Sequence, residues 1–166
     1  GHFTGVLVEG GDVSVSDLDV IEIWSGSADG EEASGVALTD GLLTTEGLRV
    51  LRTDGAGVLQ TDSRSVHSQA WVSDGAGPGF HAQGSLGDGP TLSLERSIAL
   101  RNAGANVLLL DAGKANIDQG VIGAVGMGQR CSLTGMFGHR HPLAVGLMAS
   151  GREQIQHLVR HPIFHD

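Results

Sequence analysis

Two histidine clusters near the carboxyl end have the spacing of metal ligands: His139-Arg140-His141 and His157-x-x-x-His161. Imidazoles that alternate along a segment, or that sit one helical turn apart, are what zinc or nickel takes. His157 is followed by Leu158, where a metalloprotease helix places the glutamate that serves as general base. The pattern therefore points to coordination by His139, His141, His157 and His161 without metal-assisted hydrolysis. Exposed histidines on a short helix explain the same spacing more simply, and no cofactor is expected. Cys131 lies eight residues before His139, the order of a thiolate–imidazole pair, but in a glycine-rich stretch that announces no pocket. The chain has no Gly-x-Ser-x-Gly elbow and no phosphate-cradling loop around Gly113-Lys114, and Gly75-Ala76-Gly77-Pro78-Gly79 reads as a turn.

Carboxylates recur along the chain at Asp17, Asp19, Glu46, Glu95 and Asp118, interleaved with Arg49, His67 and Arg96. Paired carboxylates on neighbouring strands are the equipment of a polysaccharide hydrolase. His81, beside Arg101 and Lys114, is the best candidate for a lyase-like base. A polysaccharide lyase or hydrolase is thus the alternative function. Against it stand a tyrosine-free chain with two tryptophans and four phenylalanines, which leaves few aromatic platforms for sugar rings. A solvated, charged sheet face accounts for the same carboxylates.

The elements that carry these residues are set by a repeat. Gly5-Val6-Leu7-Val8, Gly35-Val36-Ala37-Leu38, Gly57-Val58-Leu59-Gln60 and Gly79-Phe80-His81-Ala82 share the pattern Gly-apolar-x-apolar. Asn106-Val107-Leu108-Leu109 and Gly146-Leu147-Met148-Ala149 are weaker members, and successive starts lie 30, 22, 22, 27 and 40 residues apart. A second strand is expected after most copies, over 13–23, 42–51, 65–72, 92–100 and 115–122. Aligning Val15, Thr45, Val66, Leu94 and Ile117 puts Val20, Val50, Trp71, Ala99 and Ile122 in a second apolar column five residues on. A shared register implies stacked repeats. Helical periodicity is nearly absent through residue 125, and Gly10-Gly11, Asp40-Gly41, Asp54-Gly55, Asp74-Gly75 and Asp88-Gly89 read as turns. A sandwich would favour two-residue hairpins, so coils of about 22 residues predict a solenoid. Segments 24–34 and 124–142 exceed the minimal coil and are expected to bulge outward.

Leu92-Ser93-Leu94-Glu95-Arg96-Ser97, followed by Arg101-Asn102-Ala103-Gly104 and Asp111-Ala112-Gly113, resembles the right-handed parallel β-helix repeats of large bacterial secreted or cell-surface proteins, over roughly residues 5–125. The resemblance implies an all-β, right-handed parallel β-helix of about six rungs, a secreted or surface location and no catalytic motif. A solenoid also needs its last turn covered. Ser150-Gly151-Arg152-Glu153 has capping-box spacing, and Ile155, Leu158 and Val159 share one helical face before His161-Pro162, so a capping helix over 151–160 is expected. The division is then a β-helix over 1–149 and a capping helix with tail over 150–166.

With 40% apolar residues, 166 residues suffice for one core, and a single cysteine excludes an internal disulfide framework. A net charge of −9 without a basic cluster argues against nucleic acid, and no apolar run is long enough for membrane insertion by a helix. If Val6 and its equivalents point inward, then Leu7, Ala37, Leu59, His81, Leu108 and Met148 point outward, and that column is mostly apolar. A solvated face should be polar there, so the column is covered by a loop, is an interaction surface, or has the inverted register with Leu7 and its equivalents inside. The function expected is a non-enzymatic scaffold or binding module that meets another protein or a glycan, or self-assembles as a homo-oligomer.

Overall fold

The computed structural model describes residues 3–25, 33–84, 90–103, 105–110, 114–119, 121–122, 147–149 and 154–158. They form fifteen strands: β1 (Phe3–Ser16) and β2 (Asp19–Ile23); β3 (Ala33–Glu46) and β4 (Arg49–Thr53); β5 (Val58–Thr61), β6 (Arg64–Ser68) and β7 (Trp71–Ser73); β8 (Phe80–Gln83), β9 (Thr91–Glu95) and β10 (Ile98–Leu100); β11 (Val107–Leu110), β12 (Lys114–Asp118) and β13 (Val121–Ile122); β14 (Leu147–Ala149) and β15 (Gln154–Leu158). No helix occurs among the described residues, and none is therefore long and apolar enough to cross a membrane.

Strand pairing is parallel throughout and joins each repeat to the next in a solenoid-like arrangement. A ten-stranded sheet runs β14-β11-β8-β5-β3-β6-β9-β12-β15, with β1 beside β3, and a five-stranded sheet runs β13-β10-β7-β4-β2. Val6 pairs with Val36, Val36 with Val58, Val58 with Phe80, Phe80 with Val107 and Val107 with Leu147. Val36, Leu38, Leu43, Val50, Val58, Val72, Phe80, Leu92, Leu94 and Leu109 are buried in one core reached from both sheets.

The glycine that opens the motif has a steric reason. A Cβ on Gly57 would overlap the Val72 side chain and lie 2.7 Å from the Gly79 carbonyl oxygen, and one on Gly35 would meet Val50 and the Gly57 carbonyl in the same way. At these two levels the first strand thus approaches a valine of the five-stranded sheet too closely for a side chain. In the fifth copy Asn106 takes the place, fully buried and accepting from the Asn102 side chain at 2.8 Å.

Each expected second strand is in fact two. The chain bends at Asp17, Gly47, Gln69, Arg96 and Gln119, all with positive φ. These residues stack, because the N–H of Asp17, Gly47, Gln69 and Arg96 donates to the carbonyl of Glu46, Ser68, Glu95 and Asp118 respectively, at 2.8–3.0 Å. Two further positive-φ columns bend the chain elsewhere: Gly10, Asp40 and Asp62 before the second strand segment, and Glu22, Arg52, Asp74 and Arg101 after the third. One left-handed residue per corner, or two at Gly10-Gly11, turns an extended chain sharply, and most of these positions are non-glycine residues held by the neighbouring repeats.

The expected second-strand alignment is one residue out in the third repeat. Thr45 pairs with His67, not Val66, and Val50 pairs with Val72, not Trp71. A one-residue slip exchanges faces, so His67 and Val72 are buried while Val66 and Trp71 are 40% and 43% exposed. Val20, Val50 and Ala99 are buried as expected.

The expected capping helix is replaced by strand. Residues 154–158 form β15, which pairs with β12 through Lys114–Gln154, Ala115–Ile155 and Ile117–Leu158, with a bulge between the last two. An isolated helix of about ten residues is marginal in water, whereas the open edge of β12 offers unpaired backbone groups. The two-for-one bulge lets both Ile155 and Leu158 stand opposite inward positions of β12. Ala33 and Ser34, placed in the first bulging segment, begin β3 instead and are buried; the rest of that segment after Ser25, and 124–142, lie outside the described residues.

Candidate functional site

The outward neighbours of the core valines line up as one row. Leu7 pairs with Ala37, Ala37 with Leu59, Leu59 with His81, His81 with Leu108 and Leu108 with Met148. Leu7 is 56% exposed, and Ala37, Leu59, His81 and Leu108 are half-buried. The residue before each from the second repeat onward, Val36, Val58, Phe80 and Val107, is almost wholly buried. Alternation along the strand therefore separates a finished core from an aliphatic outer row. Beside it runs a second outer row, Glu9, Thr39, Thr61, Gln83 and Leu110, in which the Gln83 amide donates to the Thr61 hydroxyl at 3.2 Å. The face is thus amphipathic across its width.

The lyase candidates fall on separate elements, whereas of the carboxylates Glu95 and Asp118 stand opposite each other in register. His81 lies on this face in β8; Arg101 is at the corner after β10, and Lys114 opens β12. Arg101 is engaged by Asp74, with Nε and Nη2 donating to the two carboxylate oxygens at 2.6 and 2.8 Å. The Arg101 hydrogen bond holds the Asp74 carboxyl below its ordinary range, and burial opposes this only in part. Glu46, Glu95 and Asp118 share a column through Ser68, and Glu95 pairs with the Arg96 guanidinium at 3.3 Å. Asp19 is gripped by Arg49, and Glu22 by Arg52 at 2.8 Å.

Of the metal candidates, His157 belongs to β15, so it cannot stand one helical turn from its partner. His139, His141 and His161 lie outside the described residues, as does Cys131. Among the described residues no group of three or more His, Cys, Asp or Glu side chains is arranged to hold a metal ion.

Sequence reasoning missed two residues. His67 is a core residue: its Nδ1 is 2.8 Å from the Thr45 hydroxyl, its Nε2 has no hydrogen-bond partner, and its ring lies 5.5 Å from that of Phe80. Burial lowers its pKa from 6.5 to about 4. Trp71, expected inside, is outside. In Ala70-Trp71-Val72 either register places an apolar residue inward, and only strand pairing decides between them; in β6 alternation alone favours Val66 inside, and strand pairing puts Ser65 and His67 there instead. Comparison with known proteins finds no family model, no curated protein and no solved structure that matches this chain.

Proposed function

We propose that the chain is a right-handed parallel β-helix of about six rungs, secreted or displayed on a bacterial surface, that acts as a non-enzymatic scaffold and docks a second copy of itself through the outer face of its first strands. One observation carries this reading: Leu7, Ala37, Leu59 and, beyond His81, Leu108 stand in strict register on the outer side of strands whose inner side already holds the core. Aliphatic groups at successive levels of an outer face contribute nothing to that core and are costly in water, and a protein contact gives them a use. The β-helix reading rests on the parallel offset of one repeat in both sheets and on the three recurring left-handed corners.

Charge favours a two-fold arrangement. Residues 1–48 hold ten acidic and no basic residues, whereas 49–166 hold nine acidic and ten basic. A face-to-face pair related by a two-fold axis sets Leu7 of one copy near Leu108 of the other and keeps the two acidic ends apart. Sedimentation velocity from micromolar to millimolar concentration tests the reading. Concentration-dependent dimerisation is expected, with Leu59→Glu holding the protein monomeric at the melting temperature of the dilute, monomeric wild type. A wild-type protein that stays monomeric over the whole range would overturn it, and unsaturated products released from a polysaccharide panel would overturn the non-enzymatic part.

A further inference from the structure

The corner column Asp17, Gly47, Gln69 and the column of strand-opening residues Asp19, Arg49, Trp71 run side by side over three consecutive repeats. Together with the buried Leu48 they line a shallow depression of about 420 Å³. Its origin is a missing side chain. Among the described corner residues of that column Gly47 alone lacks a Cβ, and a Cβ there would lie 2.8 Å from Asp17 Oδ1, so the Asp17 carboxylate leans over the gap. Asp17 and Gln69 flank the gap from the repeats on either side, roughly 10 Å apart at two strand spacings.

The walls are chemically mixed and held in place. Arg49 donates from Nε to Asp19 Oδ1 at 3.0 Å and from Nη2 to Oδ2, which leaves further guanidinium N–H groups for a ligand. Trp71 is tethered: its Nε1–H donates to Ser73 Oγ at 3.0 Å, Ser73 donates to Asp74 Oδ2 at 2.7 Å, and Arg101 grips Asp74. An indole that is 43% exposed and yet fixed by this chain is a pre-organised platform.

We propose that this depression binds one neutral pyranose unit. A carboxylate, a carboxamide and a guanidinium that line one depression with an aromatic ring at its end match vicinal hydroxyls, which both donate and accept, while the indole covers the C–H side of the sugar. Charged ligands fit worse. Arg49 disfavours a cation at the Trp71 side, and Asp17 and Asp19 disfavour an anion. The site lies on the five-stranded sheet and its corner, away from the aliphatic row, so it does not depend on dimerisation.

The test is calorimetric titration of the full chain with glucose and with cello-, xylo-, malto- and chitohexaose, alongside melting curves. Saturable binding of at least one sugar is expected, weakened at least about tenfold in Trp71→Ala and in Asp17→Asn and retained in Leu59→Glu. Asp17→Asn keeps a side chain tolerated at the left-handed corner, where φ is 52°, so it should melt with the wild type, and Trp71→Ala leaves the buried Ala70 and Val72 in place and should stay folded. Tighter binding of a hexaose than of glucose identifies a polysaccharide as the source of the ring, and equal binding identifies the free sugar; either result supports the site. No heat with any sugar up to about 10 mM, affinity unchanged in Trp71→Ala, or saturation by an arginine or lysine amide instead would overturn it.

Discussion

His67 is a neutral imidazole sealed in the core, with one nitrogen on Thr45 and the other without a partner. Its pKa is lowered by burial from 6.5 to about 4, so the unfolded chain takes up a proton in a pH range where the folded one does not. The stability carried by the neutral form is complete above about pH 6.5 and is lost as the pH falls toward 4, on the order of 3 kcal/mol in all. Urea unfolding at pH 7 and pH 4.5 should therefore show a larger acid loss for the wild type than for His67→Leu. Equal losses would show that His67 is not the group responsible. Gly57 offers a steric counterpart. Gly57→Ala should cost about 1–3 kcal/mol, because its Cβ has no room between Val72 and the Gly79 carbonyl. Val72→Ala makes room on one side, so the double variant should lose less than the sum of the single losses in denaturant titrations.

At the scale of the strand, alternation decides which substitutions matter. Val58 is buried and Val66 faces out. Val58→Asp should unfold the protein by burying an unpaired charge, at a cost above about 4 kcal/mol, while Val66→Asp should stay within about 0.5 kcal/mol of the wild type in thermal melts. The corners are held differently. Arg101 bonds Asp74 of the preceding repeat at an exposed bend, so Arg101→Ala should return the Asp74 carboxyl toward its ordinary range, seen by carboxyl-carbon NMR titration, with little effect on stability because water screens the pair. That pair's contribution is present above the ordinary carboxylate pKa and fades as the pH falls through the lowered folded value. Single strands and their alternation were legible in the sequence, since Gly-apolar-x-apolar opens the first four copies and returns, with Asn106 for glycine, in the fifth. The corner between second and third strands was not, because the residue there can be Asp, Gly, Gln or Arg and shares no side-chain chemistry. The capping box before residue 154 had a helical signal of its own, and the free edge of β12 outweighed it.

Across the whole molecule, β1 is the exception. It pairs only with β3 among the described strands, and Val6, Val13 and Val15 are partly buried where Val36, Leu43 and Thr45 one repeat later are sealed. Ten acidic residues and no basic ones share residues 1–48. Amides of β1 should exchange with deuterium faster than those of β5 and β8, and added salt should slow them by screening that repulsion, as read by hydrogen-exchange NMR. By itself the sequence determined the repeat, the inward column from Val6 to Val107 and the outward row beginning at Leu7, because period-two alternation and a sterically required glycine are local rules. The tertiary structure alone decided that His67 is inside and Trp71 outside, and that Asp17, Arg49 and Trp71 meet over the gap at Gly47. Those outcomes depend on which residue of one repeat stands against which residue of the next, and a register between segments 22 or 30 residues apart is set by how the whole stack packs.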